Sequence, residues 1–169
     1  MNQLPTLGFV GTGAITTAMV TGFCSRAADV PYPIVVSPHY EKNAAKLKAD
    51  YPDRVTVADS IQAVVDAADW VILAVLPEAG EEVCRSLRFH PAHKIINVMF
   101  DKTVEQIAAW INCKVDTMLH MVPLTFNAFT DGPVVQCPPT PGAAEIFGHL
   151  RKIISDEKPN QAAVFGAIT

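Results

Sequence analysis

No two cysteines stand close together in this chain. Cys24, Cys84, Cys113 and Cys137 are scattered, form no Cys-x-x-Cys pair and follow no secretory signal, so a disulfide framework is not expected and reduced, buried thiols are. Positive charge is scarce as well. The 13 Lys and Arg are outnumbered by 17 Asp and Glu and form no run, which argues against nucleic acid or an anionic membrane surface as a partner; a turn could still hold a small anion. No stretch approaches the ~20 apolar residues that span a bilayer. The opening MNQLPTLGFV lacks a basic segment followed by a long apolar one, and the expected location is the cytoplasm. Metal-ligand spacing is missing too. His90 and His93 flank a proline-containing turn, but no third and fourth ligand follows, so both read as solvated loop histidines and no metal is expected. The sequence carries no internal repeat and no low-complexity tract.

What the chain does have is hydrophobicity. Half of its 169 residues are apolar, enough for one compact domain with a sizeable core. They fall into short β-rich runs alternating with helical patterns, the signature of βαβ units. Strands are expected at 6–10, 33–37, 55–57, 70–75, 94–99 and 115–122, with a seventh at 133–137. Helices are expected from Ala14 to Ala27, over 40–50, after Asp59 as cap, from Pro77 to Leu87, over 103–111, and from Thr140 with Pro141 at the first helical position. The run WVILAV lacks polar alternation and reads as a strand buried on both sides. Five or more parallel strands with crossover helices make an α/β fold with a doubly wound, mostly parallel, Rossmann-type sheet.

The first strand runs into LGFVGTGAITTAMV, which nearly spells Gly-x-Gly-x-x-Gly, with Thr16 in the third place. In such a turn Gly11 permits the bend, Gly13 lets the backbone approach a pyrophosphate, and the third small residue serves helix–strand packing. Thr16 alters only the packing position. The helix N-terminus after Gly13 offers unpaired N–H groups to an anion. Position at the head of the βαβ series, with a second strand ending where a ribose-reading residue belongs, makes this a dinucleotide site. That strand ends in Ser37, followed by Pro38, His39 and, at the helix start, Lys42 and Asn43. No carboxylate guards the strand end, so NADP, as NADPH, is the expected cofactor and NAD the less favoured one. Glu41 is the contrary feature.

The segments GFVGTGAITTAMVTGF, VVSPHYEKNAAKL and DWVILAVLPE and the later MVP, in this order and spacing, resemble the N-terminal domain of the pyrroline-5-carboxylate reductase family. The resemblance covers nearly the whole chain. It implies hydride transfer from NAD(P)H to a cyclic imine, a place in proline biosynthesis, and an all-helical C-terminal domain that forms a homodimer and completes the site. On that basis residues 1–158 are expected to be the dinucleotide-binding domain and 159–169 the start of a helical domain cut away. The implied cofactor contacts are Gly11, Thr12, Gly13, Ala14 and Ile15 in the turn, Ser37, Pro38 and His39 after the second strand, and Ala74, Val75, Leu76 and Pro77 after the fourth.

The departures fall on the substrate side. Leu76 replaces the lysine of the family's Ala-Val-Lys-Pro, Met99, Phe100 and Asp101 replace a small Ala-Ala-Gly segment, and in HMVPLTFN His120 replaces an arginine, Pro123 is kept and Leu124 replaces an asparagine. No catalytic residue is assigned. His120 is the candidate, as a proton donor near the carboxyl end of a strand or, more plainly, as a histidine hydrogen-bonded there. Met99, Met118 and Met121 read as pocket lining or core, and Asp101 as a ligand contact or a helix cap. Two function classes follow: a reductase acting on a small molecule with a C=N or C=O bond, or an NADP-binding sensor or non-catalytic relative. The deazaflavin-dependent NADP reductases, which share this domain type, are the competitor within the enzyme class.

Overall fold

The computed structural model describes residues 4–26, 30–112, 114, 117–122, 134–150 and 153–155. Strands β1 (Leu7–Val10), β2 (Ile34–Val36), β3 (Val55–Val57), β4 (Trp70–Leu73), β5 (Lys94–Asn97), β6 (Thr117–Val122), β7 (Val134–Cys137) and β8 (Ile153–Ser155) form one sheet in the order β3-β2-β1-β4-β5-β6-β7-β8. The first six are parallel; β7 runs antiparallel to β6, and β8 parallel to β7. The helices are α1 (Ala14–Ser25), α2 (Glu41–Asp50), α3 (Ile61–Ala67), α4 (Gly80–Ser86), α5 (Val104–Trp110) and α6 (Pro141–Gly148), with a 3-10 turn at Pro77–Ala79 ahead of α4. The order of β1 to β6 reverses at β1 and β4, as in the doubly wound nucleotide folds.

Alternation along the strands builds two cores, because successive side chains point to opposite faces. Leu7, Phe9, Ile34, Val36, Trp70 and Ile72 join Met19, Val20 and Phe23 of α1, Leu47 of α2 and Phe147 of α6 on one face. Val10, Val71, Leu73 and Ile95 meet Val64 and Val65 of α3, Cys84 of α4 and Ile107 of α5 on the other. Each fully buried side chain of this size contributes about 1.5–3 kcal/mol. Both faces are covered, which explains the uninterrupted apolar run of β4.

Several boundaries differ from expectation. Ser60, and not Asp59, caps α3 by accepting the Ala63 N–H. At α5 the cap is Thr103, in a reciprocal capping box with Gln106, while exposed Asp101 pairs with Lys102. Thr140 and Pro141 hold the expected positions at α6, but the Thr140 hydroxyl donates to the Pro138 carbonyl and makes no cap. Strands β4 and β5 stop short of the sequence estimate because the chain peels away after one more ladder bond each, Ala74 N–H to Val10 O and Val98 N–H to Leu73 O. Residues 153–155 form an eighth strand that the sequence pattern did not mark. Cys24 and Cys84 are free thiols; burial raises both, and pushes Cys84 up to about 11. Cys113, the Pro123 and Leu124 segment and residues 159–169 lie outside the described residues.

Candidate functional site

Gly11 leaves β1 with φ of +96°, a conformation that side-chain-bearing residues rarely adopt. Gly13 then takes the N-cap position of α1 with extended backbone and no side-chain cap, so the first-turn N–H groups of the helix remain open. A β-carbon at Gly13 would meet nothing within 4 Å. The space above it is therefore free for a ligand. Thr16, in the third glycine's place, is wholly buried and does more than pack: its hydroxyl donates to the Gly11 carbonyl at 2.6 Å. Thr17 likewise donates to the Gly13 carbonyl at 2.9 Å. Two threonines thus pin the turn from within the helix.

Ser37 is also fully buried. Its Oγ accepts the Gly11 N–H at 3.0 Å, and the Thr12 hydroxyl donates to the Ser37 carbonyl at 2.6 Å and lies 3.0 Å from its Oγ. With Thr12 donating to the carbonyl, the Ser37 hydroxyl proton is directed back to Thr12. Ser37 thus ties β2 to the glycine turn. Asn43 adds a second tie, donating from Nδ2 to the Thr12 carbonyl at 2.9 Å. The groups left facing outward after β2 are His39, Tyr40, Glu41 and Lys42, with Pro38 half-buried. Tyr40 stands in the left-handed region, φ 60° and ψ 57°, and its carbonyl accepts the N–H groups of Asn43 and Ala44 to start α2. Such strain in a residue with a large side chain is held in place by its surroundings and clusters at functional sites.

A cavity of about 450 Å³ opens outside the carboxyl ends of β1, β2, β4 and β5, over the point where strand order reverses. That is where ligands of open α/β sheets bind, and the size suits one. Gly11, Gly13, Ala14, Ile15, Ser37, His39, Ala74, Val75, Leu76 and Pro77 border it, ten of the twelve residues anticipated. Thr12 and Pro38 are not among its lining residues. Sequence reasoning missed Tyr40, Ile61, Ala79, Val83 and Val98. An aromatic at a helix start was readable, but its left-handed backbone and its place in the wall were not.

His120 lies beside Asn97 in the β5–β6 register and two residues before the end of β6. It is not among the residues lining the cavity. Its Nε2 is buried with no hydrogen-bond partner. Burial holds the imidazole below the ordinary value, which is about 6.5. The neutral ring is the form the fold accepts, so this group's contribution to stability is intact above about pH 6.5 and is lost as pH falls from there through the folded-state value. A histidine-ring NMR titration should find His120 neutral at pH 6.5; a ring that charges at or above that pH would contradict the assignment. Among the described residues, no three His, Cys, Asp or Glu side chains gather as metal ligands would.

An open parallel sheet with a glycine turn at the first helix and a cavity at the switch point defines a Rossmann-type domain. The chain belongs to the family described as NADP oxidoreductase, coenzyme F420-dependent, which its residues 6–100 match. Solved structures share the fold. A pyrroline-5-carboxylate reductase from Coxiella burnetii superposes with a TM-score of 0.83 at 18% identity, over 98% of this chain and 64% of that one. A pyrroline carboxylate reductase from Plasmodium falciparum with NADP bound gives 0.75 at 14%, over 93% and 59%. A reductive aminase from Aspergillus terreus in complex with NADPH and ethyl-5-oxohexanoate gives 0.73 at 16%, over 98% and 60%. The chain thus spans less than two thirds of the length of these proteins. None of the curated proteins matches the sequence.

Proposed function

We propose that this chain is the cofactor-binding part of an NADP(H)-dependent reductase that transfers hydride to a C=N bond of a cyclic imine or to a related C=O bond. The observation that carries the reading is the uncapped N-terminus of α1, opened by Gly13 onto the cavity at the switch point. The open N–H groups there would hold the pyrophosphate. His39, Tyr40 and Lys42 would face the adenosine end, where the second strand terminates, and the segments after β4 and β5 would flank the nicotinamide. Bound there, the nicotinamide supplies the hydride, and the protein's part is to orient it and exclude water. The resemblance to the pyrroline-5-carboxylate reductases implies a further helical domain that forms a homodimer and covers the substrate, with the protein acting in the cytoplasm. Among the described residues no helix is long and apolar enough to cross a membrane. The family's description favours a second reading in which the electron partner is a deazaflavin, whose own absorbance change would reveal it.

Cofactor choice tests the proposal. With Ser37 occupied internally, preference for the 2′-phosphate falls to exposed His39 and Lys42, against Glu41. NADPH should bind more tightly than NADH by a modest factor, and His39→Ala and Lys42→Ala should each narrow that ratio. Calorimetric titrations of both cofactors against the parent and the two variants measure it. Equal or better NADH binding by the parent would overturn the NADP assignment, and a parental ratio in a variant would remove that residue from it.

A further inference from the structure

We infer that the substrate of this site is a small uncharged ring with a C=N or C=O bond and apolar substituents, and not a carboxylate-bearing one. The inference rests on the reductase reading above. Topology sets the direction of the cavity: the adenosine end lies at β2, so the reacting end lies over β4 and β5. There the wall is Val75, Leu76, Pro77, Val98, Met99 and Phe100, with no charged side chain among them. Leu76 is 56% exposed and Phe100 54% exposed, and with Tyr40 they are the large apolar side chains left in the open among the described residues. All three border this one cavity. Apolar surface gathered at one mouth marks an interaction site.

Charge around that end points the same way. Glu78 follows Pro77 on the 3-10 turn and is exposed, and Asp101 follows Phe100. The neighbouring cation, Lys102, is paired with Asp101 at 3.0 Å. A substrate carboxylate entering here would meet apolar side chains, with the carboxylates of Glu78 and Asp101 adjacent in sequence to the wall and, among the described residues, the Lys102 ammonium beside them already paired. An uncharged ring would instead cover Leu76 and Phe100 and remove them from water. In the reaction the ring carbon of the C=N bond gains the hydride, the nitrogen gains a proton from solvent, and the nicotinamide is oxidised.

A matched pair of rings tests this: 2-methyl-1-pyrroline and 1-pyrroline-2-carboxylate, which differ by a methyl group against a carboxylate beside the same C=N bond. Both readings are taken on the protein with the helical domain proposed above in place: binding by ligand-observed NMR with NADP+, where no turnover occurs, and kcat/KM by NADPH oxidation. We expect the methyl compound to be preferred at least tenfold in both. Leu76→Lys, at an exposed position that costs no packing, should move the ratio toward the carboxylate by tenfold or more. A parent preference for the carboxylate, or an unchanged ratio in Leu76→Lys, would overturn the inference and leave the reductase reading standing. NADPH binding with oxidation by neither ring, nor by simple cyclic ketones, would instead sink the reductase reading and this inference with it. If Leu76→Lys changes the oligomeric state in light scattering and not the ratio, a second copy covers this face and the inference fails.

Discussion

Gly13→Asp should fold as well as the parent and bind NADPH at least a hundredfold more weakly. The two halves of this expectation come from one position. A β-carbon at Gly13 meets nothing within 4 Å, and its φ of −80° is ordinary for any L residue, so substitution strains nothing. Aspartate is among the favoured N-cap residues, and a carboxylate at a helix N-terminus is stabilising, so the melting temperature should hold or rise slightly. The same carboxylate would accept the open N–H groups of α1 and fill the space over them with negative charge. A pyrophosphate then loses its donors and gains a repulsion. The hundredfold loss corresponds to about 2.7 kcal/mol. Gly13→Ala fills part of that space without charge and should lose less. Thermal unfolding and calorimetric titration on the three proteins separate folding from binding, and parental affinity in Gly13→Asp would place the pyrophosphate elsewhere.

Much of this architecture is legible in the sequence because its signals are periodic. Apolar runs such as WVILAV and turn residues recur at βαβ intervals, and period-2 burial on both sheet faces produces that pattern. The glycine turn is legible for a related reason, since a backbone at positive φ has few alternatives to Gly11. Side-chain commitments are another matter. Ser37, Thr12 and Thr16 are short hydroxyl residues that could face a ligand or the backbone. The approach of β2 to the turn decides that Ser37 and Thr12 bond to each other and Ser37 to Gly11, and the start of α1 decides that Thr16 bonds to Gly11. Cap choice was obscured likewise, because Asp59 and Ser60 stand side by side and either chemistry can cap; the extended backbone at Ser60 settles it. Residues 153–155 were too few to show a period, and their strand exists through pairing with β7. Leu76 and Phe100 were visible as bulk, but their exposure at one end of one cavity was not.

Gly11→Ala should damage the fold itself. Its φ of +96° lies where an alanine is strained, a cost of order 1–3 kcal/mol. The new β-carbon would also collide with the Ala74 carbonyl oxygen, with the carbonyl carbon at 2.8 Å and the Val75 nitrogen at 3.0 Å. Those atoms are backbone, and they sit just past β4 where the Ala74 N–H bonds to Val10 at 2.8 Å. No rotamer change relieves such a contact; the β1–β4 junction, at the centre of the sheet, must open. Overpacking of this kind adds typically 1–3 kcal/mol. A total loss of about 2–6 kcal/mol is large against the 5–15 kcal/mol by which domains are usually stable. Opening the junction would also stretch the bonds from Gly11 to Ser37 and Thr16, so the β2 and α1 ties should weaken together. Urea unfolding of Gly11→Ala beside Gly13→Ala measures the difference between two glycines of one turn. The first should lower the midpoint sharply and the second hardly at all. A Gly11→Ala midpoint close to the parent's would mean that β1 and β4 do not meet at this turn as described.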